Sequence, residues 1–125
     1  MQNGKTRKKI FTMTYKPGDI VLVNFPFTDL LSSKVRPAIV ITIKGADVII
    51  LGIFSKIPEK IKESHFLIAE TDEYFAKTGL KKKSIIKTEK IAVIHNSNIK
   101  RTLGFLPDNI FSIVKIKLKK TLHLE

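Results

Sequence analysis

The chain has 125 residues, enough for one domain with a modest core and too few for two ordinary domains. Apolar residues make up 43% and charged residues 27%, so the composition predicts neither a disordered nor a fibrous chain. Lys and Arg number 23 against 11 Asp and Glu, and the net charge of +12 points to a polyanionic partner such as RNA or DNA.

Several classes of protein are excluded or disfavoured by what the sequence lacks. There is no cysteine, which excludes disulfides, thiolate metal sites and Cys nucleophiles. The longest apolar runs, residues 20–23 and 38–43, are far shorter than the roughly 20 residues that a membrane span needs. Three scattered histidines without a nearby acidic pair predict no metal site. We therefore expect no membrane segment, metal or cofactor. The lack of cysteine leaves the redox compartment undetermined but permits the cytoplasm, which is the location that we predict.

The chain divides into three parts by composition. Residues 1–15 are polar and basic without periodicity and predict a flexible arm, and residues 16–122 form the single domain. Residues 123–125 are a tail that an expression vector can contribute. Strands are predicted at 20–25, 38–43 and 48–54, with a tight turn at 44–47 that makes the last two a hairpin.

The second half of the domain alternates loops, short strands and two helices. A lysine-rich loop at 55–64 precedes a strand at 65–69, and N-cap candidates and a closing glycine predict one short helix over 71–79. Strands follow at 84–94 and 103–106. Residues 114–119 alternate like a strand, but Pro107-Asp108 is a good helix start and favours a C-terminal helix. Five or more short strands in so small a domain predict a mainly β barrel with two helices.

Two motifs near the start of the domain carry a family resemblance. Gly18-Asp19 opens the first aliphatic strand, and after a polar loop Arg36-Pro37 leads into the second. With this pattern the chain resembles the PemK/MazF family of toxins from type II toxin–antitoxin modules. The resemblance continues through Gly79-Leu80, the strand at 89–94 and Leu103-Gly104, and covers roughly residues 17–118.

The resemblance implies a small SH3-like barrel of the CcdB/MazF type, usually homodimeric, that cleaves single-stranded RNA at short sequences without a metal. It also implies growth inhibition that a cognate antitoxin relieves by covering the basic groove with an acidic tail. Arg36 matches the catalytic arginine of the family. Because a guanidinium stays protonated, we assign Arg36 to electrostatic stabilisation of the phosphate rather than to proton transfer. An ion pair with an acidic side chain is the other reading of this arginine.

The sequence departs from the family pattern at the end of the third strand. Where the family usually has a threonine, this chain reads Ile53-Phe54-Ser55, so Ser55 is the residue that can supply a catalytic hydroxyl. Strand alternation places Phe54 and Ser55 on opposite faces unless the strand ends or bulges there. A shift of one residue in the register is the alternative.

Further candidates for RNA contacts lie on the inter-strand loop and beyond it. His65 is a candidate because imidazole titrates near neutral pH, although its place at the start of a strand favours a half-exposed structural residue. Several loop residues are also ordinary turn formers. The predicted RNA-binding residues are Phe27, Thr28, Asp29, Ser32, Ser33, Lys34, Lys56 and His65.

Three functions remain open at this point. The first is a metal-independent, sequence-specific endoribonuclease toxin. The second, favoured by Phe54, is a non-catalytic barrel of the same fold that binds RNA or a protein target, as CcdB-like gyrase poisons bind a topoisomerase. The third is an interaction module whose basic charge is background, which predicts weak, sequence-blind RNA binding that disappears at moderate salt.

Overall fold

A computed structural model describes residues 14–24 and 35–124 of the chain. Its sheet has six antiparallel strands in the order β4-β5-β3-β2-β1-β6. The strands are β1 (Asp19–Asn24), β2 (Val35–Lys44), β3 (Asp47–Phe54), β4 (His65–Ile68), β5 (Ser84–His95) and β6 (Ile99–Phe105). The helices are α1 (Phe75–Thr78), α2 (Asp108–Thr121) and one 3-10 turn at Asn96–Asn98. The predicted fold class, mainly β with a short middle helix and a C-terminal helix, is confirmed.

Both faces of the sheet are buried, which explains why the central strands are apolar on both sides. Successive residues of β1 lie on opposite faces of the sheet: Ile20 belongs to the first of two core clusters and Val21 to the second. The first cluster is covered by α2, which contributes Phe111, Val114 and Leu118. The C-terminal helix that the sequence predicts therefore packs against the sheet with its apolar face.

The glycine of the first motif holds the entry of β1 between two neighbouring segments. Gly18 has a φ of 93°, its N–H donates to the Val40 carbonyl at 2.8 Å, and its carbonyl accepts from the Leu106 N–H at 2.9 Å. The buried Asp19 carboxylate accepts from the backbone N–H of Lys16 at 3.0 Å. The Gly-Asp pair is thus a structural turn that fixes where β1 begins.

The glycines of the later motifs bring α1 against β6. A Cβ at Gly79, which has a φ of 73°, would overlap the carbonyl oxygen of Leu103. A Cβ at Gly104 would in turn overlap the carbonyl oxygen of Lys77. Because α1 follows β4 and β6 lies at the opposite edge of the sheet, this backbone contact closes the curved sheet into a small barrel.

The strand predicted at 38–43 begins three residues earlier, at Val35, and two other predicted elements have larger boundary errors. The helix predicted over 71–79 spans only 75–78, because Asp72 forms a turn instead: its carboxylate accepts from the Ala69 N–H at 2.8 Å and its carbonyl from Phe75. Gly79 ends the helix in the left-handed conformation, as predicted. The last strand begins at Ile99 rather than at 103, because an edge strand tolerates the polar residues 100–102 that hide it in the sequence.

The ends of the chain are described only in part. Residues 1–13 of the predicted arm and Glu125 of the tail lie outside the described residues. Of the two described arm residues, Tyr15 is half-buried against the second core cluster, and the Thr14 carbonyl accepts from the Thr102 hydroxyl at 3.3 Å. No helix in the described ranges is long and apolar enough to cross a membrane.

Candidate active site

A cleft opens where β2 and β3 stop pairing. Ala38 pairs with Gly52, and from there residues 35–37 pair only with β1 while residues 53–54 pair only with β5. Pro37 lies directly at the divergence. Because proline has no N–H, the interrupted ladder leaves no backbone donor of this residue unpaired. The Arg-Pro motif therefore lies where the β2–β3 pairing ends and the cleft opens.

The cleft has a volume of about 540 Å³ and adjoins a second cavity of about 450 Å³. Arg36 and Ser55 line both cavities. The first is otherwise lined by Leu22, Val35, Pro37, Ile53, Gly79, Leu80, Lys81, Lys82, Ser84, Arg101 and Leu103. The second is otherwise lined by Phe54, Lys56, Pro58 and Lys87. The structure thus brings together Arg36, Ser55 and Lys56 of the predicted site.

The end of β3 determines which side chains reach the cleft. Ile53 and Ser55 line it, whereas Phe54 packs against the second core cluster and has the Lys87 ammonium 4.9 Å from its ring centroid. Ser55 is exposed and is the first residue after the strand. A hydroxyl-bearing residue therefore lines the same two cavities as Arg36, although Phe54 occupies the last strand position.

The charge of the cleft is uniformly positive among its described lining residues. Arg36, Lys81, Lys82 and Arg101 contribute cations, and no Asp, Glu or His is among the described residues that line either cavity. Guanidinium groups bind phosphate through two parallel hydrogen bonds, and ammonium groups add point charge. This arrangement suits an anionic ligand such as the backbone of a nucleic acid.

Arg101 is a cleft residue that the sequence does not predict. It lies on β6 opposite Leu22 of β1, and Leu22 is in turn opposite Pro37 of β2. One row across three strands thus carries Arg101, Leu22 and Pro37 into the same cleft. The one signal in the sequence is the scarcity of arginine in a lysine-rich chain, but the strand register that places Arg101 in the same cleft as Arg36 is not readable from sequence.

The lysines of the cleft come from a loop that hydrogen bonds hold in place. The Lys83 N–H donates to a Glu70 carboxylate oxygen at 3.2 Å, and the Ser84 hydroxyl donates to the Lys82 carbonyl at 2.9 Å. Gly79 at the start of the loop lies against the backbone of β6. The main chain that carries Lys81 and Lys82 is therefore fixed beside Arg101 before any ligand arrives.

Most of the predicted RNA-binding residues belong to the loop between β1 and β2. Phe27, Thr28, Asp29, Ser32, Ser33 and Lys34 lie outside the described residues. Their contact with RNA stays a prediction.

His65 is buried, so the prediction of a half-exposed residue is wrong. Its side chain is 3% exposed and lines neither of the two cavities. Nδ1 accepts from the Lys62 N–H at 3.1 Å, and Nε2 lies 3.2 Å from a Glu89 carboxylate oxygen. Because Nδ1 is an acceptor here, we assign the ring proton to Nε2, which donates to Glu89. The structure thus gives His65 two partners inside the fold and places it away from the described lining of the cleft, and its contact with RNA stays a prediction.

A bulge in β5 creates the partner of His65. Leu51 pairs with Ile91 while its neighbour Gly52 pairs with Lys87, so residues 88–90 have no counterpart on β3. The bulge also contains Glu89. Burial alone would raise the pKa of Glu89, but hydrogen bonds from its own backbone N–H, from Ser64 and from His65 outweigh burial and lower it.

Metal binding finds no support in the described part of the chain. Among residues 14–24 and 35–124, no group of three or more His, Cys, Asp or Glu is placed to hold a metal ion. The prediction of a metal-free reaction stays a prediction.

Comparison with known proteins identifies the family. The family model described as "PemK-like, MazF-like toxin of type II toxin-antitoxin system" matches residues 16–122. The chain therefore belongs to this family of toxins, as the sequence motifs indicated. MazF-family toxins are generally endoribonucleases. A comparison with curated protein sequences found no match.

Solved structures share the fold at low sequence identity. MazF from Deinococcus radiodurans is 16% identical, with a TM-score of 0.68 over 90% of this chain and 100% of that one. Mycobacterium tuberculosis toxin MazF-mt6 is 14% identical, with a TM-score of 0.66 over 86% and 98%. An endoribonuclease in complex with its cognate antitoxin from a mycobacterial species is 11% identical, with a TM-score of 0.66 over 90% and 98%. At these identities the likeness shows the fold alone.

Proposed function

We propose that this protein is a metal-independent, sequence-specific endoribonuclease toxin that cleaves single-stranded RNA by attack of a ribose 2′-hydroxyl on the adjacent phosphate. One observation carries the proposal: Arg36 and Ser55 stand together at the junction of two adjoining cavities whose described lining is rich in cations. An RNA strand that runs through both cavities passes this junction, where a phosphate meets a guanidinium and a hydroxyl.

The reaction forms a bond from the 2′-oxygen to phosphorus and breaks the bond from phosphorus to the 5′-oxygen of the next nucleotide. The 2′-hydroxyl loses its proton to solvent water, and the leaving 5′-oxygen takes a proton from solvent water. Arg36 stabilises the negative charge that accumulates on the phosphoryl oxygens, and Ser55 donates a hydrogen bond to one of them. Because the described lining has no carboxylate or imidazole, these residues contribute charge stabilisation and positioning rather than a general base.

The same lining supports a reaction without a metal. Divalent cations such as Mg²⁺ prefer oxygen ligands, above all carboxylates, which the described walls of the cleft do not offer. Arg36 and the other cations supply positive charge at the place where a metal would otherwise do so. Cleavage in the presence of EDTA is the expected result.

The partners follow from the charge of the site and from the relatives. We propose a homodimeric, cytoplasmic toxin that a cognate antitoxin neutralises with an acidic segment over the cleft. In support, one structural relative is an endoribonuclease in complex with its cognate antitoxin, and another is a MazE–MazF complex from Deinococcus radiodurans. Light scattering of the purified chain tests the dimer, because a monomeric mass at micromolar concentration contradicts it.

The proposed activity is tested with purified protein and mixed-sequence RNA at physiological salt in EDTA, with product ends mapped by sequencing. We expect recurrent cuts at one short sequence. Arg36→Ala and Ser55→Ala should make these cuts much more slowly, whereas Ser112→Ala, on the exposed side of α2, should cut at the wild-type rate. A folded wild-type protein that binds RNA without cutting it would support the non-catalytic alternative instead.

A further inference from the structure

We propose that Arg101 and Lys82 form a second phosphate-binding subsite that holds the phosphodiester next to the scissile one. The proposal rests on the proposed function, because it specifies where the RNA backbone lies in the same cleft. It gives this chain two anchoring points for one strand: Arg36 at the reacting phosphate and Arg101 at a neighbouring phosphate.

The register of the sheet fixes the spacing of the two arginines. Arg101 on β6 is opposite Leu22 of β1, and Arg36 on β2 is opposite Val23, the next residue of β1. Two strand spacings separate their backbones, which amounts to roughly 10 Å between Cα atoms. Both residues line one cleft, and they enter it from opposite faces of the sheet, because Arg36 is level with Val23 and Arg101 with Leu22. The two cations are therefore separate anchoring positions that one phosphate does not fill.

The local structure of β6 directs Arg101 into the cleft. Arg101 and Leu103 both line it, whereas the residue between them, Thr102, donates from its hydroxyl to the Thr14 carbonyl elsewhere. The alternation of a strand thus places residues 101 and 103 on one side. Arg101 therefore belongs to the wall of the site rather than to the outer surface of the barrel.

The opposite wall completes the subsite. Gly79 touches the backbone of Leu103, so the loop that carries Lys82 is anchored on the same strand as Arg101. The Lys82 carbonyl accepts from the Ser84 hydroxyl, while the Glu70 carboxylate accepts from the backbone N–H of Lys83. With no carboxylate among the described lining residues, the positive charge of the subsite is left for the ligand.

Composition and surface chemistry favour a nucleic-acid backbone over a small anion. The chain has 23 cationic residues of which only three are arginines, and two of those three, Arg36 and Arg101, line this cleft. Leu22 and Pro37 lie between them and give the floor an apolar stretch. Two charged anchors separated by apolar surface match a chain in which phosphates alternate with sugars and bases.

The first experiment pairs Arg101→Ala with single neutral linkages in the substrate. Two RNAs that contain the mapped cleavage sequence are made. Each carries one uncharged methylphosphonate linkage, at one of the two positions that flank the cut. For the wild type we expect one of these linkages to lower kcat/KM roughly tenfold or more, because a charged hydrogen bond is lost. In Arg101→Ala the same linkage should have no further effect. Lys100→Ala, an exposed neighbour that does not line the cleft, should behave like the wild type.

A second experiment does not depend on cleavage. Binding of a hexauridylate RNA is measured by fluorescence anisotropy from 50 to 300 mM salt, and each phosphate contact contributes about 0.7 to the slope of log K against log salt. Arg101→Ala should reduce the slope by about that amount and Lys100→Ala should not. If the wild type does not cut RNA but this difference holds, the proposed function fails and the subsite stands. Equal slopes and an unchanged methylphosphonate effect in Arg101→Ala would overturn the subsite.

Discussion

Arg36 on β2 and Ser55, the first residue after β3, both line the two cavities that meet where these strands stop pairing, beyond Ala38 and Gly52. The site is therefore made by a divergence in the sheet. The proline beside Arg36 makes this divergence inexpensive, because it has no N–H to leave unpaired.

Removal of the Ser55 hydroxyl should lower cleavage without affecting the fold. Ser55 is exposed and follows the end of β3, so Ser55→Ala leaves the packing intact. We expect kcat/KM to fall by roughly 10- to 100-fold if the hydroxyl contacts the reacting phosphate, since hydrogen bonds to charged groups are worth about 1.5–3 kcal/mol. Ser55→Thr should retain most of the activity. Equal rates for wild type and Ser55→Ala would remove this residue from the mechanism.

Stability should be especially sensitive to added side-chain atoms at the backbone contact between α1 and β6. Gly79→Ala and Gly104→Ala each place a Cβ against a carbonyl oxygen, and we expect the free energy of unfolding in urea to fall by at least about 3 kcal/mol. Gly45→Ala is the matched control, because Gly45 has a φ of 62° and a Cβ added there would meet nothing within 4 Å. It should cost only about 1–2 kcal/mol of left-handed strain. Similar losses at all three glycines would refute the closure contact.

The salt dependence of RNA binding should depend on the loop lysines. Lys82→Ala should weaken binding and reduce the slope of log K against log salt by up to about 0.7 if one phosphate contact is lost. Lys44→Ala, at the exposed end of β2, is the matched control and should leave the slope unchanged. If Lys82→Ala and Lys44→Ala reduce the slope equally, RNA is bound by diffuse positive charge on the surface rather than by a defined site.

The Glu89 carboxylate should make stability depend on pH below neutrality. Its pKa is lower in the folded chain than its ordinary value of 4.5, so it stabilises the fold above that value. The stabilisation is lost as the pH falls through the lowered pKa. We expect wild type to exceed Glu89→Gln in unfolding free energy by up to about 1 kcal/mol at pH 7, because the side chain is 37% exposed. The difference should shrink by pH 3.

Urea titrations at pH 7, 5 and 3 measure this difference. Glu59→Gln, an exposed residue of the loop after β3, serves as the control for loss of one negative charge. A gap between wild type and Glu89→Gln that is the same at pH 7 and pH 3 would show that the contacts of Glu89 with Ser64 and His65 do not depend on its ionisation.

The sequence predicted the parts of this structure that local chemistry determines. The hairpin turn around Gly45, the end of α1 at Gly79 and the start of the C-terminal helix after Pro107 all follow from residue types with strong backbone preferences. The location of Arg36 and Ser55 in one cleft was also predicted, although only through the family motifs.

The remaining features depend on contacts between distant segments. Arg101 enters the cleft through the register of β6 against β1, and no pattern in residues 99–102 encodes that register. The buried His65 meets Glu89 through a bulge in β5, and the polar run at 87–90 does not indicate which strand residues the bulge leaves unpaired or which side chain it faces. Residue propensity and hydrophobic periodicity indicate that a segment is a strand, but they do not indicate which strand it pairs with or in which register.

Charge stabilisation by Arg36 is tested by RNA cleavage with Arg36→Ala and Arg36→Lys in EDTA at physiological salt. Loss of one group that stabilises transition-state charge typically costs about 10²–10³ in rate, so Arg36→Ala should reduce kcat/KM by at least that factor. Arg36→Lys should recover only part of the loss, because a point charge lacks the two-donor fork. Sequence-specific cuts by the wild type that disappear in Arg36→Ala are the predicted result. Undiminished cutting by a folded Arg36→Ala, or none by the wild type, would contradict the account.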